Sequence, residues 1–429
     1  MLRQISAVQA LKGEISVPGD KSISHRALII GALAQGKTEI HGFLPGADCL
    51  STLNCLRQMG IEIELINNTT LIVNGSGLYG LKEPNDCLDA GNSGTTARLL
   101  LGILAGQNFF TVLTGDGSLR SRPMSRVIQP LQTMGAQIFG RNNNKLLPAV
   151  VLGQKKLKGI TYNSSIASAQ LKSALLLAGL YAEEPTTIFE PSRSRDHSER
   201  MLKSFGVSID IHNNVVTINP SSKLEAGKIL IPGDISSAAF FIVAGLIVPN
   251  SEIMIKNVGI NPTRSGIITI LKEMGGNISI LNERKMGEEP VADLLVKSSE
   301  LRGTEIKGDI IPTLIDEIPV LAVAGLFAQG ETIISDAAEL RVKESDRIAV
   351  MAKELNKIGG HVTELPDGLN IKGDQELHGA RCSSHHDHRI AMSLAIAGLR
   401  TGNLEIEDYE CIDISYPNFF SDLNMLMNN

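Results

Sequence analysis

The chain has 429 residues, a hydrophobic fraction of 43%, a charged fraction of 20% and a net charge of −6. This length predicts two or three domains with large cores. The negative net charge argues against a general nucleic-acid or anionic-membrane surface. The absence of Trp and an aromatic content of 4% also argue against a protein that stacks single-stranded nucleic acid. We therefore expect any anion site to be local.

The cysteines and the apolar runs indicate the cellular compartment of the protein. The five cysteines show neither a disulfide-like framework nor a C-x-x-C pair. The start of the chain has no apolar signal core, and its longest apolar runs, 238–248 and 318–328, are too short to span a bilayer. These features predict a cytoplasmic protein with reduced thiols and no membrane partner.

The first predicted elements lie in ISVPGDKSISHRALIIGALA (15–34), which reads as a strand, a Pro-Gly turn and an apolar helix. Lys21, Ser22 and Arg26 fall at the start of that helix. Simple capping does not require cations there, because the helix N-terminus already carries partial positive charge. The stretch therefore predicts an anion site built from backbone N–H groups, a hydroxyl and two cations.

The same pattern recurs six times, about every 70 residues, as a polar cluster, an apolar helix and a strand-like segment. A second landmark that ends in Gly follows five of these helices and predicts the end of a second amphipathic helix. The five landmarks are LRQMG (56–60), LQTMG (131–135), LKSFG (202–206), LKEMG (271–275) and LNKIG (355–359). The predicted unit is β-α-β-α-β-β.

Six units predict an α/β protein of two similar domains with three units each. The first domain is expected at 20–233. The sixth copy lacks closing strands, and the leading segment could supply one, so the second domain is expected to combine 1–19 with 234–429. A solenoid is the alternative arrangement.

Later copies add further candidate residues. DAGNSGTTAR (89–98) places Gly94 where a backbone could approach a ligand closely, although it fits no nucleotide-binding glycine motif. The simpler interpretation of this stretch is a glycine-rich turn. The simpler interpretation of the arginine-rich loop 115–126 is a solvated charged loop. The remaining candidates for binding hydroxyls and phosphate are Arg122, Ser168, Gln170 and Arg195.

The last two copies bring acids. Asp316 opens a helix, and RVKESDR (341–347) supplies Lys343, Glu344 and Arg347. HHDHR (385–389) supplies Arg389, but its histidines lack the spacing of a zinc motif, so we predict no metal. Many cations and few carboxylates suit substrates with several negative charges and one or two proton-transfer groups.

These motifs resemble the 5-enolpyruvylshikimate-3-phosphate (EPSP) synthase family over nearly the whole chain. The matching segments, in family order, are GDKSISHR (19–26), GNSGTTAR (91–98), RPM (122–124), SAQ (168–170), DE-P (316–319), RVKESDR (341–347) and DHR (387–389). RDHSE (195–199) and NPTR (261–264) resemble the second of two bacterial classes. The resemblance implies two three-unit domains, an inside-out α/β barrel fold, with the active site in the cleft between them.

The resemblance also implies a reaction without metal, cofactor or covalent enzyme adduct. The enolpyruvyl group of phosphoenolpyruvate would pass to the 5-hydroxyl of shikimate 3-phosphate through a tetrahedral intermediate, releasing phosphate. The residues implied for shikimate 3-phosphate are Lys21, Ser22, Arg26, Ser168, Ala169, Gln170, Arg195, Asp316 and Lys343. Those implied for phosphoenolpyruvate are Lys21, Gly94, Arg122, Gln170, Arg347 and Arg389. Asp316, Glu344 and Lys21 would be catalytic.

Two positions depart from the family pattern. Many relatives have a lysine where this chain has Ile414, which puts a late phosphoenolpyruvate cation in doubt. Position 94 is Gly, whereas some glyphosate-tolerant members of this class have Ala, so the inhibitor response stays open. The alternatives are UDP-N-acetylglucosamine enolpyruvyltransferase, whose loop cysteine is missing from 110–126, and a catalytically silent anion-binding protein. We expect a monomer.

Overall fold

The structure is a computed structural model that describes residues 1–154, 156–221 and 223–428. Within these ranges lie 23 strands and 14 α-helices. The strands, β1 to β23 in chain order, are Leu2–Ile5, Lys12–Ser16, Gln35–His41, Glu62–Asn67, Thr70–Ser76, Leu88–Asp89, Phe110–Thr114, Gln137–Gly140, Leu146–Leu152, Thr161–Asn163, Thr186–Phe189, Ile209–His212, Val215–Ile218, Lys228–Leu230, Glu252–Gly259, Asn277–Met286, Glu289–Lys297, Glu305–Ile306, Glu331–Ile334, His361–Leu365, Gly368–Lys372, Arg381–Ser383 and Leu404–Glu407. The helices, α1 to α14, are Lys21–Leu33, Ala47–Gln58, Gly94–Leu104, Ser125–Thr133, Arg141–Asn144, Ala169–Gly179, His197–Ser204, Ile235–Ile247, Gly266–Glu273, Ile311–Leu314, Ile318–Leu326, Arg347–Lys357, His388–Thr401 and Phe419–Met427.

The chain divides into two compact units. The N-terminal unit comprises Gly19–Ile231 with Met286–Glu289, and the C-terminal unit comprises Met1–Pro18, Pro232–Lys285 and Pro290–Asn429. We propose that these units are the two domains expected from the repeats.

The N-terminal unit contains three four-stranded sheets, ordered β14-β3-β5-β4, β6-β7-β9-β8 and β10-β11-β13-β12. In each sheet the first two strands are parallel and the others antiparallel. The helices α1, α3 and α6 form the core, where Leu28, Leu100 and Leu175 are fully buried. Helices that are apolar on nearly every face must lie inside, so these three carry little polar surface beyond their first turns.

The C-terminal unit has a similar arrangement, with two four-stranded sheets, β16-β17-β15-β2 and β18-β19-β21-β20, and one three-stranded sheet, β1-β23-β22. Its core is formed by α8, α11 and α13. The predicted contribution of the leading segment to the sixth copy is confirmed, because β1 pairs antiparallel with β23. The same segment also supplies β2, which pairs parallel with β15 of the fourth copy.

The Gly landmarks mark helix ends as predicted. Gly60, Gly135, Gly206, Gly275 and Gly359 follow α2, α4, α7, α9 and α12 and have φ values from 85° to 95°. Glycine adopts this left-handed conformation without the steric cost of a Cβ atom, so it ends a helix readily. The predicted α/β class with repeated β-α-β-α-β-β units is therefore confirmed.

None of the helices in the described ranges has both the length and the apolar character that crossing a membrane requires.

Candidate active site

The start of α1 is fixed by Asp20, whose carboxylate accepts a hydrogen bond from the Ile23 N–H at 2.8 Å. Lys21 is therefore the first residue of the helix, and its ammonium group pairs with the Asp48 carboxylate in the first turn of α2. The Lys21 side chain is 18% exposed. The pair keeps a cation at the helix N-terminus, where an incoming anion also meets the helix dipole.

Arg26 lies one turn further into α1 and is buried. Its Nε donates to the Ser198 hydroxyl at 2.7 Å, its Nη2 donates to the Ser173 hydroxyl at 2.7 Å, and its Nη1 donates to the Ser22 carbonyl at 2.9 Å. These contacts join α1 to α6 and α7. The guanidinium thereby holds three helix starts together within this unit.

The starts of α3 and α6 are joined by side chains. Gln170 donates from Nε2 to the Thr95 hydroxyl at 3.0 Å and accepts a hydrogen bond from Arg98. Arg98 also donates to the Pro123 carbonyl at 3.1 Å. Arg122 donates from Nη2 to the Asn92 amide oxygen at 2.6 Å. Two guanidinium groups and two amides thus lie around the start of α3.

Gly94 is the first residue of α3, and the space beside it is filled by these cations. A Cβ atom at this position would lie 2.8 Å from Arg98 Nη1 and 3.7 Å from Arg122 Nη1. The backbone at Gly94 therefore lies closer to the Arg98 guanidinium than a Cβ atom would allow without a shift, whereas the distance to Arg122 is an ordinary contact.

A buried ion network lies near the start of α6. Lys172 pairs with Glu190 at 2.8 Å and with Glu199 at 2.7 Å. Burial acts to lower the pKa of Lys172, but the two carboxylates outweigh burial and raise it. Ser168 caps α6 by accepting from the Leu171 N–H, and Ser22, Ala169 and Arg195 are partly exposed.

His25 lies behind the predicted anion site and is fully buried. Burial lowers its pKa from 6.5 to about 3, so the ring is neutral at neutral pH. Its Nδ1 is 2.7 Å from the Thr52 hydroxyl, which is 2.6 Å from the Thr96 hydroxyl in the first turn of α3. This chain of polar groups connects α1, α2 and α3 inside the unit.

In the C-terminal unit the acids and cations form one cluster around Arg347. Its Nε contacts Asp387 at 2.8 Å, its Nη2 contacts Glu344 at 2.7 Å, and its Nη1 contacts Asp316 at 3.3 Å. Lys343 also approaches Asp316, at 3.4 Å. Burial acts to lower the pKa of Arg347, but Asp387, Glu344 and Asp316 outweigh burial and raise it.

Two neighbouring contacts complete the cluster. Burial acts to raise the pKa of Asp387, but the guanidinium of Arg347 outweighs this effect and lowers it. Arg389 donates from Nη1 to the Asp316 carbonyl at 2.9 Å and lies 3.5 Å from the Glu317 carboxylate. The backbone of Asp316 is thus held by one predicted site cation, while its carboxylate contacts two others.

The structure groups the predicted residues within each unit. It brings Gly94, Arg122 and Gln170 together in the N-terminal unit, and the residues Asp316, Lys343, Glu344, Arg347 and Arg389 together in the C-terminal unit. The sequence interpretation did not assign Asp48, Arg98, Glu317 or Asp387. Three of these lie inside quoted motifs, whereas nothing in the sequence pattern singles out Asp48.

The histidine cluster does not form a metal site in the described ranges, where no group of three or more His, Cys, Asp or Glu residues could hold a metal ion. His385 instead contacts the buried Glu354 at 3.1 Å. His385 and His386 have φ values of 51° and 58° just before Asp387 caps α13.

Comparisons with known proteins agree along the whole chain. The family profile described as EPSP synthase (3-phosphoshikimate 1-carboxyvinyltransferase) matches residues 5–423. A 3-phosphoshikimate 1-carboxyvinyltransferase from Desulforamulus reducens is 56% identical, covering 97% of each chain. The solved structure of an EPSP synthase from Acinetobacter baumannii has a TM-score of 0.89 and 45% identity, covering 99% of this chain and 98% of that one.

A more distant structure, the enolpyruvyl transferase NikO from Streptomyces tendae, has a TM-score of 0.81 over 99% of this chain and 97% of its own. Its identity of 18% shows the shared fold alone. The profile match and the 56% identity show more than the fold. The chain belongs to the EPSP synthase (3-phosphoshikimate 1-carboxyvinyltransferase) family.

Proposed function

We propose that the chain catalyses its family's reaction with the residues predicted from its motifs. The enolpyruvyl group of phosphoenolpyruvate passes to the 5-hydroxyl of shikimate 3-phosphate, and phosphate is released, in the shikimate pathway to chorismate and the aromatic amino acids. The observation that supports this assignment best is the cluster in which Asp316 and Glu344 both contact the buried guanidinium of Arg347. Such a cluster combines proton-transfer groups with a cation for an anionic substrate.

The proposed chemistry begins at Asp316. Its carboxylate, oriented by Lys343 and Arg347, accepts the proton of the 5-hydroxyl as that oxygen attacks C2 of phosphoenolpyruvate. Glu344 and Lys21 together handle two protonations, that of the methylene carbon C3, which gives the tetrahedral intermediate, and that of the leaving phosphate. Elimination then removes a proton from the new methyl group and breaks the C2–O bond to phosphate. No metal or organic cofactor enters this sequence.

The anion-binding roles are divided between the two units. In the N-terminal unit, shikimate 3-phosphate is proposed to contact Lys21, Ser22, Arg26, Ser168, Ala169, Gln170 and Arg195, and phosphoenolpyruvate to contact Lys21, Gly94, Arg122 and Gln170. In the C-terminal unit, the corresponding residues are Asp316 and Lys343 for the first substrate and Arg347 and Arg389 for the second. The Arg98–Gln170 contact and the Arg122–Asn92 contact support the phosphoenolpyruvate contacts proposed in the N-terminal unit, because they fix donors around Gly94.

Binding of phosphoenolpyruvate at Arg347 has a specific consequence. Its guanidinium contacts three carboxylates. A phosphoenolpyruvate carboxylate that binds Arg347 competes with these carboxylates, and Glu344 is the most exposed of the three, at 23%. Replacement of Glu344 at Arg347 would release its carboxylate, which could then take up a proton from solvent and pass it to the methylene carbon.

We also propose a cytoplasmic, monomeric enzyme that binds neither nucleic acid nor membrane. The spacing of the five cysteines and the net charge of −6 support this part of the proposal. Sedimentation of the purified chain at enzyme-assay concentration tests the monomer, and a mass near 46.0 kDa is expected. A mass of a dimer or larger would refute it.

The central test is phosphate release by the purified chain given phosphoenolpyruvate and shikimate 3-phosphate. A parallel assay replaces the acceptor with UDP-N-acetylglucosamine, which separates the two enolpyruvyl acceptors. We expect release that requires shikimate 3-phosphate. Release only with the nucleotide sugar would assign the alternative acceptor, and no release with either from folded protein would support the silent anion-binding alternative.

A further inference from the structure

A buried polar network in the C-terminal unit ends at one of the proposed phosphoenolpyruvate cations. It joins Asp234, Ser236, Arg264, Glu317 and Arg389. The first four are 5% exposed or less, whereas the Arg389 side chain is 12% exposed. Burying two carboxylates and two guanidinium groups costs free energy unless they are paired, so the arrangement requires an explanation.

The inner end of the network lies at the start of α8. Asp234 caps that helix by accepting from the Ser236 N–H at 2.8 Å, and it contacts Arg264 Nη2 at 3.2 Å. The same Nη2 donates to the Ser236 hydroxyl at 2.7 Å. Since this hydroxyl accepts from a guanidinium, its own proton is directed elsewhere, and it donates to Glu317 Oε1. The direction of the hydrogen bonds is thereby fixed as far as Glu317.

The outer end of the network is the pair formed by Glu317 and Arg389. Glu317 Oε1 lies 3.5 Å from Arg389 Nη1, which also donates to the Asp316 carbonyl at 2.9 Å. Glu317 directly precedes α11, yet its side chain makes no capping hydrogen bond to that helix. Helix capping therefore does not account for a carboxylate at this buried position.

The charges of the network balance in pairs. Two carboxylates, Asp234 and Glu317, face two guanidinium groups, Arg264 and Arg389. An arginine that is held on one side by a fixed carboxylate and a carbonyl already has its side chain ordered before a ligand arrives. It therefore loses less conformational entropy when it binds a second carboxylate, and its planar fork stays in one orientation.

We propose that Glu317 is a positioning residue that orients Arg389 toward the carboxylate of phosphoenolpyruvate, and that Ser236 and Arg264 hold Glu317 in place. This inference rests on the proposed function, which assigns Arg389 to that substrate. It also gives a role to Arg264, the last residue of the NPTR motif, which lies outside the proposed catalytic and binding set.

The main test is Glu317→Gln, which keeps the shape of the side chain and an acceptor for the Ser236 hydroxyl but removes the charge. We expect the KM for phosphoenolpyruvate to rise about tenfold or more, and the KM for shikimate 3-phosphate to stay within about twofold. Ser236→Ala should raise the KM for phosphoenolpyruvate less, about threefold, because the carboxylate keeps its charge. Ser237→Ala is the matched control on the same helix turn and should leave both KM values unchanged.

A double-mutant cycle tests whether Glu317 acts through Arg389. In an Arg389→Gln background, the further change Glu317→Gln should alter the KM for phosphoenolpyruvate by less than about twofold, because the group that it orients is already gone. Glu317→Asp restores the charge and should recover part of the lost affinity. Far-ultraviolet circular dichroism and a thermal melt confirm that each variant is folded at the assay temperature.

The outcomes separate this inference from the proposed function. An inactive wild-type chain would refute the proposed function, and this inference with it. An active wild-type chain whose folded Glu317→Gln variant keeps its KM for phosphoenolpyruvate would refute the positioning role alone. Equal rises in both KM values, or full additivity with Arg389→Gln, would also overturn it, since either result indicates a general structural effect. If Glu317→Gln does not fold, Ser236→Ala against Ser237→Ala decides the same question.

Discussion

Replacing Gly94 by Ala should weaken phosphoenolpyruvate binding without disrupting the fold. The residue begins α3, and its φ is outside the left-handed region, so the backbone accepts alanine. The new Cβ atom would lie 2.8 Å from Arg98 Nη1. Ordinary contact distances are about 3.5 Å, so the guanidinium must move by about 0.7 Å.

The expected rise in the KM for phosphoenolpyruvate follows from the contacts that Arg98 makes. The guanidinium is buried and contacts the Gln170 amide and the Pro123 carbonyl, so its displacement also shifts a proposed substrate contact. A misplacement of about 1 Å can cost about a hundredfold in a well-oriented site. We therefore expect the KM for phosphoenolpyruvate to rise about 10- to 100-fold, which corresponds to about 1.4 to 2.8 kcal/mol.

Steady-state phosphate release, with each substrate varied in turn, measures this effect. The KM for phosphoenolpyruvate should rise more than that for shikimate 3-phosphate, with kcat changed by less than about fivefold. Gly227→Ala is the matched control, because nothing lies within 4 Å of a Cβ atom there. An unchanged KM in folded Gly94→Ala would refute the reasoning from this close approach.

Three further predictions concern Lys21, Asp316 and His25. Lys21→Met should abolish turnover, because the proposed role of the ammonium group is electrostatic and close to the reacting atoms; near-normal kcat would remove Lys21 from the catalytic set. Asp316→Ala should lower kcat at least about a thousandfold yet cost only about 1 kcal/mol of folding free energy, since Arg347 keeps its other two carboxylates. A loss confined to stability, measured by urea unfolding, would contradict the base role. His25 has a folded-state pKa of about 3 against 6.5 when unfolded, so the unfolded chain binds the extra proton and stability falls as pH drops below about 6.5. This group alone should cost about 2 kcal/mol between pH 8 and pH 5; urea unfolding of His25→Asn should show a correspondingly weaker pH dependence, and an equal dependence would refute the assignment.

Local sequence signals predicted the helix boundaries well. The five Gly landmarks identified helix ends because a left-handed residue is required there, and glycine meets that requirement best. Asp20, Ser93 and Ser168 cap their helices in the structure, where short polar side chains satisfy the first N–H groups of a helix, although the sequence analysis did not name these caps. Repetition of the polar clusters and of the Gly landmarks predicted the number of β-α-β-α-β-β units.

Strand pairing between distant segments was harder to predict. β2 pairs with β15, and β14 supplies the first strand of the first copy by pairing with β3. Nothing in the local hydrophobic period distinguishes these partners from the neighbouring copy. Register and partner choice depend on which edges are left open after the rest of the unit has folded.

Prediction of the site from sequence has the same limit, because contacts between distant segments are not visible in local patterns. Motifs identified Lys21, Gln170 and Arg389. Their partners Arg98 and Glu317 lie inside quoted motifs but were given no role, and Asp48 lies outside the motifs. The sequence assigned no role to these partners, because only the folded chain brings the interacting groups together. The substrate-binding and catalytic roles of all the predicted site residues stay predictions.

The central claim is enolpyruvyl transfer by addition and elimination, and proton NMR of the reaction in D₂O tests it most directly. Phosphoenolpyruvate, shikimate 3-phosphate and the purified chain should give a product with vinyl methylene signals, in step with phosphate release. Because the proposed intermediate gains a solvent-derived proton at C3 and then loses one from a rotating methyl group, deuterium should appear in that methylene. A vinyl product without deuterium would contradict the mechanism, and phosphate release without a vinyl product would contradict the transfer itself.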